Sequence, residues 1–270
     1  FKNNNASNWG GSVWIASENC TIMNSDFQYS RAIYRAAIAW EGANAKLIAC
    51  NFSNNVGTNG EPVYVSGVNA SIRDCIFRNN VAESTKAGAI QLSGVKGSII
   101  NCTFINNTAK NSYGGVLYCD ANSGTIDNCT FINNSAGTYG GAIYALTEAL
   151  SIFNSRFENN TAGTSGGAIY VAAGYSIHVN ESNVFINNDV DYTDAIMLEN
   201  RDFWVSTDGF GTGTYDNPTY WEYALAKIAH GNTIYLTAGT YTNIVGQSIS
   251  KSINVVGQGY VIINPNGTGR

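Results

Sequence analysis

One phenylalanine recurs along the first two thirds of this chain at nearly constant spacing, and this feature constrains the fold most. Consecutive copies are 25 to 28 residues apart. They are Phe1, Phe27, Phe52, Phe77, Phe104, Phe131, Phe157 and Phe185. A fixed period in this range indicates a solenoid, and coils this short accommodate two or three short strands rather than a pair of helices. The sequence therefore predicts an all-β fold, a parallel β-helix of about eight coils over residues 1–200.

A strand-like tripeptide follows each phenylalanine by about a dozen residues, as in Ile143-Tyr144-Ala145. Strand alternation places its outer two residues on the core side and its middle residue on the opposite side. We therefore expect the middle residues to form an outward column with about 4.8 Å between neighbours. This column consists of Trp14, Tyr64, Gln91, Tyr118, Tyr144, Tyr170 and Met197.

Asparagine recurs at two positions where each coil is expected to turn. The first corner precedes the phenylalanine by three residues, at Asn24, Asn101, Asn128 and Asn154. The second corner follows it, at Asn54-Asn55, Asn79-Asn80, Asn106-Asn107, Asn133-Asn134, Asn159-Asn160 and Asn187-Asn188. Asparagine tolerates left-handed backbone angles, and stacked amides can hydrogen-bond from coil to coil. We therefore predict asparagine ladders at the corners.

Composition and charge exclude some classes of partner. The chain is 44% hydrophobic and 12% charged, and its net charge is −5 without a basic run. Nucleic-acid binding requires clustered cations, so we exclude that partner. No apolar run approaches the ~20 residues that span a bilayer. Because the chain opens on Phe1 in mid-repeat, we expect it to be part of a longer protein.

The repeat motifs resemble those of two families of surface proteins. Phe131-Ile132-Asn133-Asn134 followed by Gly140-Gly141-Ala142-Ile143 resembles the FxxN and GGA repeats of chlamydial polymorphic outer-membrane proteins. The run from Asn128 to Asn134 is more similar to the large adhesin-like surface proteins of methanogenic archaea. The resemblance covers residues 1–200. It implies a right-handed parallel β-helix displayed on a cell surface and involved in adhesion.

The last seventy residues depart from this period. Residues 205–218 form a Gly-rich stretch, and its last two residues, Asn217 and Pro218, predict a helix N-cap and first turn. The apolar stripe of Trp221, Ala224, Leu225 and Ile228, ended by Gly231, predicts a short amphipathic helix near 218–230. Strands are predicted at 233–236 and 252–256, with a turn at 239–241.

This segment resembles the start of pectate-lyase-like β-helices, in which an amphipathic helix covers the end of the core. We therefore interpret residues 201–270 as a Gly-rich linker, a capping helix and the first strands of a second β-helical segment. The alternative is that this segment packs against the first β-helix.

Four cysteines occupy one position of successive coils: Cys50, Cys75, Cys102 and Cys129. Neighbouring Cα atoms would lie within disulfide range, but parallel Cβ directions make the S–S torsion awkward, and one column does not converge on a metal. Buried free thiols are favoured, and one or two disulfides are the alternative. Cys20 and Cys119 are interpreted as single core residues.

A polysaccharide lyase or hydrolase acting on acidic glycans is the main enzymatic alternative. It would need carboxylates stacked on neighbouring coils with a basic residue beside them. Asp74 and Asp127 are two coils apart, and Asp120 and Glu148 are about two residues out of register. There is no basic residue between Tyr113 and Ser155, and His178 and His230 are far apart in sequence. We therefore predict no catalytic residues and no cofactor.

Three carboxylates cluster near the end of the repeats, at Asp189, Asp191 and Asp194. Calcium prefers such oxygen ligands, but their spacing matches no complete ligand set. A solvated acidic loop is the favoured interpretation, and a calcium site is the alternative.

The outward aromatic residues are the strongest candidates for a function. Planar rings with a polar tip can stack on sugar faces or anchor a protein interface, although they can also simply pair across strands. The candidate binding residues are Trp14, Tyr64, Tyr118, Tyr144 and Tyr170. The predicted function is a non-catalytic, extracellular adhesin or adhesin stalk that binds a host or microbial cell-surface glycan or protein.

Overall fold

The computed structural model divides the chain into two compact units. The first comprises Phe1–Ile177 and Glu181–Met197, and the second comprises His178–Asn180 and Leu198–Arg270. The structure describes residues 1–84, 86–121, 123–147, 149–172, 175, 177–179, 182–188, 202–228, 231–242, 244, 249 and 252–264.

The first unit contains four sheets of short strands. Sheet 1 consists of β1 (Asn5–Trp9), β5 (Arg31–Tyr34), β9 (Val56–Gly57), β13 (Val81–Ala82), β17 (Thr108–Ala109), β21 (Ser135–Ala136) and β25 (Thr161–Ala162). Sheet 2 consists of β2 (Val13–Ile15), β6 (Ile38–Trp40), β10 (Val63–Val65), β14 (Ile90–Leu92), β18 (Leu117–Cys119), β22 (Ile143–Ala145) and β26 (Ile169–Val171).

The other two sheets complete each coil. Sheet 3 includes β3 (Thr21–Met23), β7 (Lys46–Ile48), β11 (Ser71–Arg73), β15 (Gly97–Ile100), β19 (Gly124–Asp127) and β23 (Leu150–Phe153). Sheet 4 consists of β4 (Asp26–Gln28), β8 (Asn51–Ser53), β12 (Ile76–Arg78), β16 (Thr103–Ile105), β20 (Thr130–Ile132), β24 (Arg156–Glu158) and β28 (Val184–Ile186). Each strand pairs in parallel with its equivalent one coil away, as β16 does with β20. The prediction of an all-β parallel β-helix is confirmed.

The recurring phenylalanines form one stack through the core. Centroids of neighbouring rings are 4.6 to 5.0 Å apart, and their planes differ by at most 18°. Phe131, for example, lies 4.8 Å from Phe104 and 4.6 Å from Phe157. The six rings from Phe27 to Phe157 are fully buried. Equivalent residues of successive coils therefore lie directly above one another.

The second asparagine of each pair forms a buried ladder. Asn134 Nδ2 donates to Asn160 Oδ1 at 2.9 Å and to the carbonyl oxygen of Phe104 at 3.1 Å. The same two bonds recur at Asn55, Asn80, Asn107 and Asn160. The first asparagine of each pair has a positive φ, between 47° and 56°. Asn24, Asn101, Asn128 and Asn154 also have positive φ, so both predicted corners are confirmed.

The cysteines of the core are free thiols that donate to nearby backbone. Cys75 Sγ donates to the carbonyl oxygen of Arg73 at 3.1 Å, and Cys50, Cys102 and Cys129 bond the equivalent carbonyls. Burial raises the pKa of the Cys119 thiol to about 12. This thiol is therefore protonated at neutral pH.

The second unit has its own buried core. Its elements are β27 (His178–Val179), β29 (Phe203–Val205), α1 (Trp221–Lys227), β30 (Thr233–Leu236), β31 (Gly239–Tyr241), β32 (Asn254–Gly257) and β33 (Val261–Ile263). The order β29-β30-β32 makes one parallel sheet, and β31 pairs with β33 in another. Trp221, Ala224 and Ile228 of the predicted apolar stripe are buried against these strands. Whether this unit begins a second β-helical segment stays a prediction.

Two local predictions in this unit are wrong. The N-cap of α1 is Tyr220 and not Asn217, because the backbone of Asn217 is hydrogen-bonded within the preceding loop. Tyr220 makes no side-chain capping bond. Residues 239–241 form a strand rather than a turn, because they pair in parallel with β33, starting with Gly239 opposite Val261. The strand predicted at 252–256 is confirmed, and it runs from Asn254 to Gly257. None of the helices in the described ranges is long and apolar enough to cross a membrane.

Candidate functional site

The predicted column of middle residues lies on sheet 2 in the expected register. The members of the column, each paired with its equivalent in the next coil, are Trp14, Ala39, Tyr64, Gln91, Tyr118, Tyr144 and Tyr170. Ala39 is a member that the sequence pattern missed, because the second coil departs from the repeat. Met197 lies outside the described residues.

Five tyrosines of this face form what we call the tyrosine cluster: Tyr113, Tyr118, Tyr139, Tyr144 and Tyr170. Along the column, the ring centroids of Tyr118 and Tyr144 are 5.3 Å apart, and those of Tyr144 and Tyr170 are 5.4 Å apart. Tyr113 and Tyr139 form a second row, 5.8 Å from each other. The two rows touch, with 4.7 Å between Tyr113 and Tyr144 and 4.5 Å between Tyr139 and Tyr170. The cluster is therefore a continuous aromatic surface two rings wide.

The second row was not predicted, although the sequence contains a signal for it. Tyr113 and Tyr139 each precede a glycine pair, and the first glycine has a positive φ of 65° at Gly114 and 68° at Gly140. This left-handed turn, which glycine adopts without strain, lies between each second-row tyrosine and the next strand of sheet 2. A repeated Tyr-Gly-Gly motif would have indicated the second row.

The outward column is not exposed to solvent along its whole length. Trp14 is 67% exposed, but Tyr118 is only 8% exposed and Gln91 is also buried. Tyr118 is covered because Lys86 Nζ lies 4.7 Å from its ring centroid, and burial raises its pKa to about 12. Tyr144 and Tyr170 are half-buried. The accessible part of the cluster therefore consists of Tyr113, Tyr139, Tyr144 and Tyr170.

A stacked cation occupies the other end of the face. The Arg35 guanidinium lies between two rings, with its Cζ 3.9 Å from the Trp9 centroid and 3.8 Å from the Tyr64 centroid. Arg35 Nε is also 3.7 Å from the Glu61 carboxylate, which is 4% exposed. Burial raises the pKa of Glu61 to about 7, and the charge of Arg35 offsets part of this effect. Cation–π contacts of this kind hold the arginine in place.

A second ion pair lies beside Gln91 and Tyr118 of the column. Lys86 Nζ is 3.9 Å from Asp120, which also accepts bonds from Ser93 Oγ at 2.6 Å and Gln91 Nε2 at 3.3 Å. The prediction that no basic residue lies beside Asp120 is wrong, because the stacking of coils brings Lys86 next to it from an earlier part of the chain.

The remaining candidates are not brought together. Glu148, Asp189, Asp191, Asp194 and His230 lie outside the described residues. Asp74 and Asp127 accept bonds from Asn101 and Asn154 and so belong to an asparagine ladder. Among the described residues there is no group of three or more His, Cys, Asp or Glu side chains arranged to hold a metal ion.

These features define a parallel β-solenoid with an aromatic surface along one of its sheets. The chain belongs to the right-handed β-helix family, because the model of the right-handed β-helix region matches residues 9–203. No curated protein and no solved structure matches the chain.

Proposed function

We propose that this chain is a non-catalytic, extracellular segment of a cell-surface adhesin or adhesin stalk. It binds a glycan or a protein on a partner cell through the tyrosine cluster. The observation that supports this proposal is the packing of Tyr113, Tyr139, Tyr144 and Tyr170 into one partly exposed surface with ring centroids 4.5 to 5.8 Å apart.

Such a surface has the properties of a binding platform. Tyrosine rings offer apolar faces for the C–H groups of a sugar ring and hydroxyls for hydrogen bonds at their edges. Each ring is held by its neighbours and by the strands beneath, so binding costs little side-chain entropy. The same combination of a rigid ring and a polar tip makes tyrosine common at the centres of protein interfaces.

A binding screen with variants of the second row tests this proposal. The double variant Tyr113→Ala/Tyr139→Ala removes one exposed and one half-buried ring, both outside the strands of sheet 2. We expect it to lose most binding in a glycan array and in a pull-down from partner-cell surface proteins. The two assays distinguish a glycan ligand from a protein ligand.

Tyr29→Asn is the matched control. Tyr29 is 53% exposed, lies outside sheet 2 and has a φ of 56°, at the corner where other coils have asparagine. This substitution removes an exposed ring without straining the backbone, so binding should be unchanged. Equal binding by the double variant and the wild type would eliminate the tyrosine cluster as the binding surface.

A polysaccharide-cleaving enzyme is the second candidate. It is favoured by the two carboxylates near the column, Glu61 with its pKa raised to about 7 and Asp120 beside Lys86. A carboxyl group of this pKa suits general acid catalysis. Incubation with pectic and other acidic polysaccharides, with and without calcium, tests this candidate. Product that disappears in Glu61→Gln or Asp120→Asn would replace the adhesin proposal.

A further inference from the structure

We propose that the second unit contains a separate binding cavity for a neutral saccharide. The cavity lies in the loop between β29 and α1 and has a volume of about 840 Å³. This volume is within the range of small-molecule sites. All of its lining residues belong to the second unit, so the proposal does not depend on the tyrosine cluster.

The loop that forms the cavity is tightly built. The Gly211 amide donates to the Pro218 carbonyl at 2.9 Å, and the Gly213 amide donates to the Asn217 carbonyl at 2.9 Å. A Cβ atom at position 211 would lie 2.5 Å from the backbone carbonyl oxygen of Asn217, so a larger residue would force the loop to shift. The Thr219 amide then bonds the Trp204 carbonyl and ties the loop to β29. The cavity walls are therefore preformed.

Aromatic rings stand at the edge of the cavity. Phe210 lines it, lies between two glycines and is 89% exposed. Tyr220, also exposed, has its ring centroid 6.1 Å from that of Phe210 and 5.9 Å from that of Tyr223. A phenylalanine held almost wholly in water at the tip of a tight loop contributes nothing to the core of this unit. Its position suits contact with the apolar face of a ligand ring.

The polar lining supplies hydrogen-bonding groups for hydroxyls. Ser206, Asp208, Thr212 and Thr219 all line the cavity. Thr219 is fully buried, and its Oγ1 has no hydrogen-bond partner among the described residues. Because Thr219 has no exposed surface, the polar side chains that a ligand can reach are those of Ser206, Asp208 and Thr212.

The charge of the lining decides the class of saccharide. It contains one carboxylate, Asp208, and no lysine, arginine or histidine. An acidic sugar would be repelled by Asp208 and would find no cation to pair with. Asp208 is the one carboxylate of the lining that a cation could contact, and the described residues contain no group of three or more His, Cys, Asp or Glu side chains that could hold a metal ion. Neutral sugar hydroxyls match this lining.

Titration of the full chain with neutral oligosaccharides tests the proposal. The probes are oligosaccharides of glucose, mannose, galactose and N-acetylglucosamine, measured by calorimetry and by saturation transfer to the sugar protons. We expect Phe210→Ala to weaken binding at least about tenfold, as truncation of an aromatic anchor does. Tyr260→Ala is the control, because Tyr260 is 80% exposed in the same unit and does not line the cavity.

The tyrosine-cluster variant Tyr113→Ala/Tyr139→Ala should retain this binding. The proposal is overturned if no neutral probe binds or if uronic acid oligomers or choline bind in place of neutral sugars. It is equally overturned if Phe210→Ala binds as Tyr260→Ala does.

Discussion

At the scale of single residues, removing one asparagine from the buried ladder should destabilise the fold. Asn134→Ala removes the acceptor for the backbone amide and Nδ2 of Asn107 and the donor to the Phe104 carbonyl. Each buried group left unpaired costs about 1–3 kcal/mol. We therefore expect this variant to lose at least about 3 kcal/mol of unfolding free energy in urea denaturation.

Asn128→Ala is the control for that experiment. Asn128 is exposed, and its Nδ2 bonds Asn101 Oδ1 at 3.2 Å in the outer ladder. Its positive φ makes alanine somewhat strained, so a loss of about 1 kcal/mol is expected. Similar losses at positions 128 and 134 would contradict the importance of the buried ladder.

Glu61 predicts a dependence of stability on pH. Its pKa is raised from 4.5 to about 7, so folding favours its protonated form. The contribution of this group is fully present below about pH 4.5 and is lost as the pH rises through 7. Compared with Glu61→Gln, the wild type should lose on the order of 3 kcal/mol of unfolding free energy between pH 4.5 and 8.

Arg35, Lys86 and Asp120 also influence this carboxyl group, and all three remain in the Glu61→Gln variant. The comparison of the two pH profiles therefore isolates Glu61 itself. Glu83→Gln, at a half-buried carboxylate 3.7 Å from Lys110, serves as the control and should follow the wild type. Parallel profiles for wild type and Glu61→Gln would show that the prediction is wrong.

At the scale of elements, the phenylalanine stack should dominate the stability of sheet 4. Phe131 in β20 is fully buried between Phe104 and Phe157, and its truncation leaves a cavity that neighbouring coils cannot fill. Phe131→Ala should cost about 3–5 kcal/mol. Ile132→Ala, which alters the next residue on the opposite side of the same strand, should cost clearly less in the same denaturation assay. Equal costs would contradict a core in which phenylalanine lies over phenylalanine.

Strand positions and corners were predictable because the repeat reports the same local environment several times. Phe131 and Asn134 recur in equivalent positions, so periodicity alone placed one in the core and the other at a corner. The second unit has no such repetition. There Asn217 and Pro218 resemble a helix start, but their backbone groups bond Gly213 and Gly211 in the loop, and the helix begins at Trp221.

The candidate site was predictable only in part, for a related reason. The column from Tyr64 to Tyr170 follows from strand alternation. The exposure of each ring depends on side chains that arrive from corners and neighbouring coils. Lys86, which covers Tyr118, is not a repeated residue, so the period gives no signal for this contact. Tyr113 packs beside Tyr144 and Tyr139 packs beside Tyr170 at the same sequence spacing, so this row was predictable from the repeated Tyr-Gly-Gly motif.

At the scale of the whole molecule, two separate cores predict two unfolding events. Phe131 is fully buried in the first unit and Phe203 is fully buried in the second. In differential scanning calorimetry, Phe131→Ala should lower the midpoint of one transition and Phe203→Ala that of the other, each by several degrees. A single transition that both variants shift equally would show that the two units unfold together.

The direct stacking of successive coils determines the core, the corners and the tyrosine cluster. A crystal structure of the chain tests this most directly, through the positions of Phe104, Phe131 and Phe157. We predict consecutive ring centroids 4.6 to 4.8 Å apart with nearly parallel planes. Rings displaced sideways by a residue, or facing solvent, would contradict the account.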